Sequence, residues 1–100
     1  MLYPLNVDLT GRLIVVVGGG IVAERKVAGI IAAGKRSLVR VIAPAVTAQL
    51  RTLADSGRID WHSVRYAHGM LEGAFLVYAA TDCPVVNAGV AAEAEERNIL

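Results

Sequence analysis

The stretch Leu13-Ile14-Val15-Val16-Val17-Gly18-Gly19-Gly20-Ile21-Val22-Ala23 is an unbroken apolar run that meets three glycines and resumes at helical spacing. That pattern predicts a strand feeding a helix through a tight turn. Gly18 lets the chain leave the strand, Gly20 removes a side chain where a pyrophosphate approaches the backbone, and Ala23 lets the helix lie close to the sheet. The N–H groups that open a helix have no intrahelical partners, and the positive end of the helix dipole adds to them. An anion is held there without a basic side chain. The spacing Gly-x-Gly-x-x-Ala, flanked by a strand and a helix, therefore points to a bound dinucleotide. A glycine turn that binds nothing is the bland alternative.

Outward from the turn, Ala23, Val27, Ile30 and Ile31 fall on one helical face, and Gly34 sits where that helix should stop. Gly29, inside the helix, costs up to about 1 kcal/mol relative to alanine, which predicts close packing at that point. A second strand is expected from Leu38 to Ile42, ended by Ala43-Pro44. Val46, Leu50 and Leu53 then give a short helix stopped at Gly57. Ile59 and Trp61 alternate with Asp60 and His62, so a third strand has one apolar face and lies near a sheet edge. Phe75 to Ala79 is a fourth strand, apolar enough to be covered on both faces. Pro84 to Arg97 is the last helix, with Val86, Val90 and Ala94 as its buried row, and Ile99-Leu100 open a fifth strand.

Strands alternating with helices predict an α/β, Rossmann-like, doubly wound parallel sheet, truncated near the fifth strand. Ligands of such sheets bind outside the C-terminal ends of the strands. That rule selects the turn at Gly18 to Val22, the Ala43-Pro44 corner and the Thr81-Asp82 corner.

Composition sets the outer bounds. The 100 residues suit one small domain, and a hydrophobic content of 55% suffices for a core. A net charge of +1 with interspersed signs gives little attraction for nucleic acid or anionic lipid, so neither is expected as a partner. Apolar runs fall short of the roughly 20 residues of a membrane span, and Met1 to Asp8 lacks the layout of a secretory signal. A lone cysteine, Cys83, agrees with a reducing compartment, and a cytoplasmic protein is expected.

Tyr3-Pro4-Leu5, Val16-Val17-Gly18-Gly19-Gly20-x-Val22-Ala23-x-Arg25-Lys26, Ala43-Pro44, and Ala79-Ala80-Thr81-Asp82 with Asn87 together resemble the N-terminal domain of siroheme synthase, the precorrin-2 dehydrogenase family. The resemblance runs through essentially the whole chain. It implies NAD as cofactor and oxidation of precorrin-2 to sirohydrochlorin, with iron insertion to siroheme in some members and a homodimer in the complete protein. Carried over residue by residue, it implies that Gly20, Ile21 and Val22 meet the pyrophosphate, Ala43 and Pro44 the adenosine, and Thr81 and Asp82 the nicotinamide end, with Gly18 counted among the cofactor-binding residues for the turn it allows. Asn87 matches the motif as a brace for that last loop.

Three departures bear on these expectations. The acidic residue that commonly binds the ribose about 20 positions after the glycines is missing. The family shares the Ala-Pro corner, and Arg36 and Arg40 leave NADP as a minor alternative. The segment from Gly34 to Pro44 is slightly longer than the family's spacing. The family's catalytic aspartate lies in an Asn-Val-Val-Asp style segment beyond Leu100, as do its dimerisation and C-terminal helical parts. No catalytic residue is therefore expected within residues 1–100, which form one NAD-binding domain expected to bind NAD yet turn over poorly. The alternative function is a dinucleotide-binding regulatory module without catalysis.

Other polar residues carry a plain and a sharp reading. Asp82 is first a helix-start residue bonding backbone N–H groups, and only second a catalytic carboxylate. Arg25 and Lys26 either pair with substrate carboxylates or form a solvated helix side, the commoner case. His62 and His68 lack the spacing of a metal site and are expected to be surface residues. Cys83 is expected to be a buried spacer rather than a nucleophile.

Overall fold

The computed structural model describes residues 11–33 and 38–100. Along them run β1 (Leu13–Val17), α1 (Ile21–Ala33), β2 (Leu38–Ile42), α2 (Ala48–Asp55), β3 (Asp60–His62), β4 (Leu76–Ala79) and α3 (Pro84–Glu96). The strands pair in parallel in the order β3-β2-β1-β4, the Rossmann-like α/β arrangement. Tyr3-Pro4-Leu5, the segment from Met1 to Asp8, Gly34 and Arg36 lie outside the described residues.

The unbroken apolar run of β1 is explained by burial on both faces. Ile14 and Val16 join Ala23, Val27 and Ile30 of α1 and Leu50 of α2, while Val15 and Val17 join Val90 and Ala94 of α3. These four β1 side chains are at most 2% exposed. Each such burial is worth about 1.5–3 kcal/mol, so β1 anchors both layers. Because α1 leaves β1 on one face and α3 leaves β4 on the other, the chain splits between these neighbouring strands. A crevice opens there, at the C-terminal ends of the strands.

Two helix ends show how the local sequence sets the path. After α2, Gly57 at φ +78° donates to Ala54 and Arg58 donates to Leu53, the paired bonds of a Schellman stop. After α3, Asn98 at φ 55° does the same work, with Asn98 donating to Glu95 and Ile99 to Ala94. That turn sends Ile99 and Leu100 back along β4. Leu100 donates to the Phe75 carbonyl and accepts from Val77, the hydrogen-bond pattern of a parallel rung. The expected onset of a fifth strand is therefore visible in the backbone.

Three expectations are corrected. Gly29 is exposed and an added Cβ would meet nothing within 4 Å, so close packing does not explain it. It lies on the solvent side of α1. Strand β4 is only half-buried, with β1 on one side and, among the described residues, only the rung made by Leu100 on the other. Val46 precedes α2 rather than belonging to it, because Thr47 is the N-cap and its hydroxyl accepts from the Leu50 amide at 3.2 Å. The expected placing of β3 at an edge holds. Among the described residues no helix is long and apolar enough to cross a membrane.

Candidate dinucleotide cleft

At the strand ends lies a cleft of about 940 Å³ whose walls include Gly18, Gly20, Ile21, Val22, Ala43, Pro44, Thr81 and Asp82. All eight residues singled out from the sequence thus meet in one place. Backbone contacts hold the three loops together. Gly18 donates to the Ile42 carbonyl at 3.0 Å, Ala80 to Val17 at 2.8 Å and Thr47 to Gly19 at 2.9 Å.

The glycines differ in what they make possible. Gly18 has φ +134°, and a Cβ there would stand 2.3 Å from the Ala80 carbonyl oxygen. It joins the first turn to the β4–α3 loop. A Cβ on Gly19 would stand 2.0 Å from the Ala45 carbonyl oxygen, so this glycine seats the turn against the loop after β2. Around Gly20 nothing lies within 4 Å of an added Cβ. Its missing side chain leaves open cleft beside the start of α1, whose first helical bond runs from Glu24 to Gly20. The amides of Ile21, Val22 and Ala23 precede that bond and have no partner within the helix. Such a cradle, with bare amides beside open space, fits a diphosphate.

The other two loops are braced. The Trp61 indole Nε1 donates to the Ala43 carbonyl at 2.9 Å and the Ser63 hydroxyl to Pro44 at 3.1 Å, so β3 supports the Ala43–Pro44 corner from behind. In the β4–α3 loop, Asn87 Nδ2 donates to the Thr81 carbonyl at 3.0 Å and the Thr81 hydroxyl donates to Asn87 Oδ1 at 2.6 Å. The role of Asn87 as a brace is thereby realised.

Several side readings change. Asp82 is exposed, and α3 begins at the N-cap Cys83 without a side-chain cap bond; Thr81 Oγ1 instead accepts from the Cys83 amide at 3.2 Å. The expected bond from Asp82 to helix-start N–H groups is not formed, and the side chain that bonds a backbone amide here is Thr81. Cys83 itself is exposed at the cleft, not buried, because it stands at the mouth of the turn. Arg40 turns along the sheet to Asp60, its register partner, with Nε 3.3 Å from Oδ2. It is absent from the cleft walls. Arg25 is exposed, and Lys26 sits 4.9 Å from the centre of the Tyr78 ring. His62 bonds Asp60 at 2.9 Å and His68 bonds Glu96 at 2.8 Å, both at the surface. Among the described residues no group of three His, Cys, Asp or Glu side chains is placed to hold a metal.

Sequence reasoning missed Glu93, Tyr66 and Arg65. Arg65 and Tyr66 form part of the cleft wall, contributed by the loop after β3. Glu93 is fully buried on α3 and accepts from the Tyr66 hydroxyl, the Gly69 and Leu71 amides at 3.0 and 3.1 Å, and Arg97 Nε at 2.8 Å. Burial pushes its carboxyl up, but these donors together outweigh that and bring it down to about 2. The same burial and the neighbouring carboxylate push the Tyr66 hydroxyl well above its ordinary value, so it stays protonated. The spacing Val86, Val90, Glu93, Arg97 was the available signal, since it puts a carboxylate on the apolar row of α3.

Residues 5–100 match a family model described as "Putative NAD(P)-binding" (NAD_binding_7). The chain is 40% identical over 97 residues to the siroheme synthase of Photorhabdus laumondii, and 41% identical over 98 residues to that of Chromobacterium violaceum. These alignments span 97% and 98% of this chain but 20% of each relative, so the chain covers about a fifth of their length. Among solved structures, SirC, a precorrin-2 dehydrogenase, superposes with a TM-score of 0.83 at 30% identity, over 90% of this chain and 44% of that one.

Proposed function

Because the chain belongs to the NAD(P)-binding family that its residues 5–100 match, we propose that it holds NAD for the oxidation of precorrin-2 to sirohydrochlorin. The observation that carries this reading is the open side of Gly20 beside the unpaired amides that start α1. The names of the similar proteins, siroheme synthase and precorrin-2 dehydrogenase, supply the substrate.

In this reading Gly18 and Gly20 shape the turn, and the Ile21 and Val22 amides hold the pyrophosphate. Ala43 and Pro44 flank the adenosine, and Thr81 and Asp82 border the nicotinamide. When bound, the nicotinamide supplies a hydride acceptor, and the protein supplies placement. The Asn87 brace fixes the Thr81 carbonyl and hydroxyl, so the loop meets the ring in one conformation and shortens the search for a reactive geometry. Exposed Ile21 and Val22 give the cleft an apolar lip. NAD is favoured over NADP because Arg40, beside the Ala43–Pro44 corner in sequence, is turned to Asp60. A cytoplasmic location agrees with a single free cysteine, and a homodimer in the complete protein follows the family resemblance.

Calorimetric titration tests the binding step. NAD should bind saturably and more tightly than NADP, and no heat with either would overturn the reading. Precorrin-2 and NAD given to the full-length protein should then produce NADH absorbance together with sirohydrochlorin. NAD binding without that chemistry would leave a regulatory module.

A further inference from the structure

A buried carboxylate is costly unless its oxygens are well supplied with donors, and an apolar side chain often fills such a place at no loss of stability. Glu93 is therefore a position where bulk stability alone does not explain the residue. Its donors come from opposite sides of one seam. The hydroxyl of Tyr66 and the amides of Gly69 and Leu71 belong to the segment linking β3 to β4, while Arg97 closes α3 itself. That linking segment is built of turns rather than a helix, so its buried amides need partners from elsewhere.

The seam ends at the cleft. The Tyr66 ring lies against the backbone of α3, where a Cβ on Gly89 would be 3.5 Å from its Cε2. Tyr66 and Val86 are both part of the cleft wall, Val86 in the first turn of α3 that follows the Thr81–Cys83 loop and Tyr66 resting on the same helix at Gly89. We infer that Glu93 is a positioning residue for this cleft: by holding Tyr66 and the Gly69–Leu71 turn on α3, it sets the wall on the nicotinamide side. This rests on the dinucleotide reading above. Glu93 touches no ligand; Tyr66 is the surface it places. The adenosine side is braced separately, through Trp61 and Ser63.

The test compares adenosine diphosphate with NAD, both by calorimetry, at a temperature where each variant is fully folded. Tyr66→Phe removes one hydroxyl and keeps the ring, and Glu93→Gln keeps the shape but turns an amide donor toward donors. His68→Ala, which breaks the surface pair with Glu96 on the same seam, serves as control. Tyr66→Phe should weaken NAD about fivefold, the range set by one lost hydrogen bond, and leave adenosine diphosphate unchanged. Glu93→Gln should weaken NAD at least as much, with the control unchanged for both ligands. If Glu93→Gln does not fold, Tyr66→Phe alone decides. Unchanged NAD affinity in the folded variants, or equal losses for both ligands, overturns the inference. Failure of the unmodified protein to bind either nucleotide would instead overturn the dinucleotide reading itself.

Discussion

The backbone of Gly18 approaches Ala80 so closely that a Cβ on Gly18 would stand 2.3 Å from the Ala80 carbonyl oxygen, while the space at Gly20 is open. The two glycines should therefore fail differently. Gly18→Ala places a side chain at φ +134° against backbone that cannot rotate away, and it should cost about 2 kcal/mol or more, roughly 10 °C in melting temperature. Gly20→Ala meets no protein atom, so it should cost no more than the preference for glycine over alanine where a helix begins, about 0.5–1 kcal/mol. Its methyl group should nonetheless lower NAD affinity about tenfold, as calorimetry would read. Parental NAD binding by Gly20→Ala would remove the basis for the diphosphate cradle.

At the start of α3 the hydrogen-bond acceptor is Thr81, not Asp82. Thr81→Val deletes the oxygen that accepts from the Cys83 amide and the hydroxyl that donates to Asn87, so it should destabilise by about 1–2 kcal/mol. Asp82→Ala removes an exposed carboxylate and should lie within about 0.5 kcal/mol of the parent. Urea unfolding of the two variants orders them. The reverse order would return the capping role to Asp82.

Glu93 predicts an acid limb in the stability curve. Its carboxyl is held at about 2 in the folded protein against an ordinary value of 4.5, so the unfolded chain binds the proton first. The stabilisation is present above about pH 4.5 and is lost as pH falls toward 2, amounting to a few kcal/mol at most. In Glu93→Gln that contribution is absent at every pH, and the slope of unfolding free energy between these limits should flatten. His68 works the other way. Its bond to Glu96 raises its pKa, so its contribution is full below the ordinary histidine range and fades as pH rises through the raised value. His68 is largely exposed, which keeps that contribution small. Chemical denaturation at a series of pH values separates the two: Glu93→Gln should flatten the acid slope most, with a smaller change near neutral pH because the Glu93 charge also helps to raise His68.

The sheet was legible because its signals are local. An apolar run, glycine stops and a proline at a helix start each act within a few residues, and the strands from Leu13 and Leu38 begin and end where those signals put them. The cleft walls were legible for a related reason: parallel topology brings the ends of β1, β2 and β4 together whatever their side chains. What escaped depends on contacts distant in sequence. Glu93 reaches Tyr66 27 residues away, and Arg40 finds Asp60 20 residues away. Neither pairing has a periodic trace. Gly29 shows the opposite failure, since its cost in a helix suggested packing where there is only solvent. Cys83 was misplaced because hydrophobicity favours burial while its position in the turn exposes it.

Trp61 offers a reading of the side proposed for the adenosine. It is the only tryptophan in the chain, and its indole nitrogen donates to the Ala43 carbonyl at 2.9 Å. Ala43 also donates to the His62 carbonyl at 3.2 Å, so the corner and β3 move as one. Trp61 lies behind the corner and not in the cleft wall, so a ligand seated on Ala43 and Pro44 should reach it by changing the field along its hydrogen bond to Ala43. Adenosine diphosphate and NAD should both produce a saturable change in tryptophan emission, with the dissociation constants found by calorimetry. Nicotinamide mononucleotide should produce none, since its ring is proposed to sit at the Thr81–Asp82 end. Trp61→Phe should lose the signal and, by freeing the Ala43 carbonyl, weaken adenosine diphosphate a few-fold, in keeping with one hydrogen bond of about 1 kcal/mol. An emission change driven by nicotinamide mononucleotide, with adenosine diphosphate silent, would reverse the orientation assigned to the dinucleotide in the cleft.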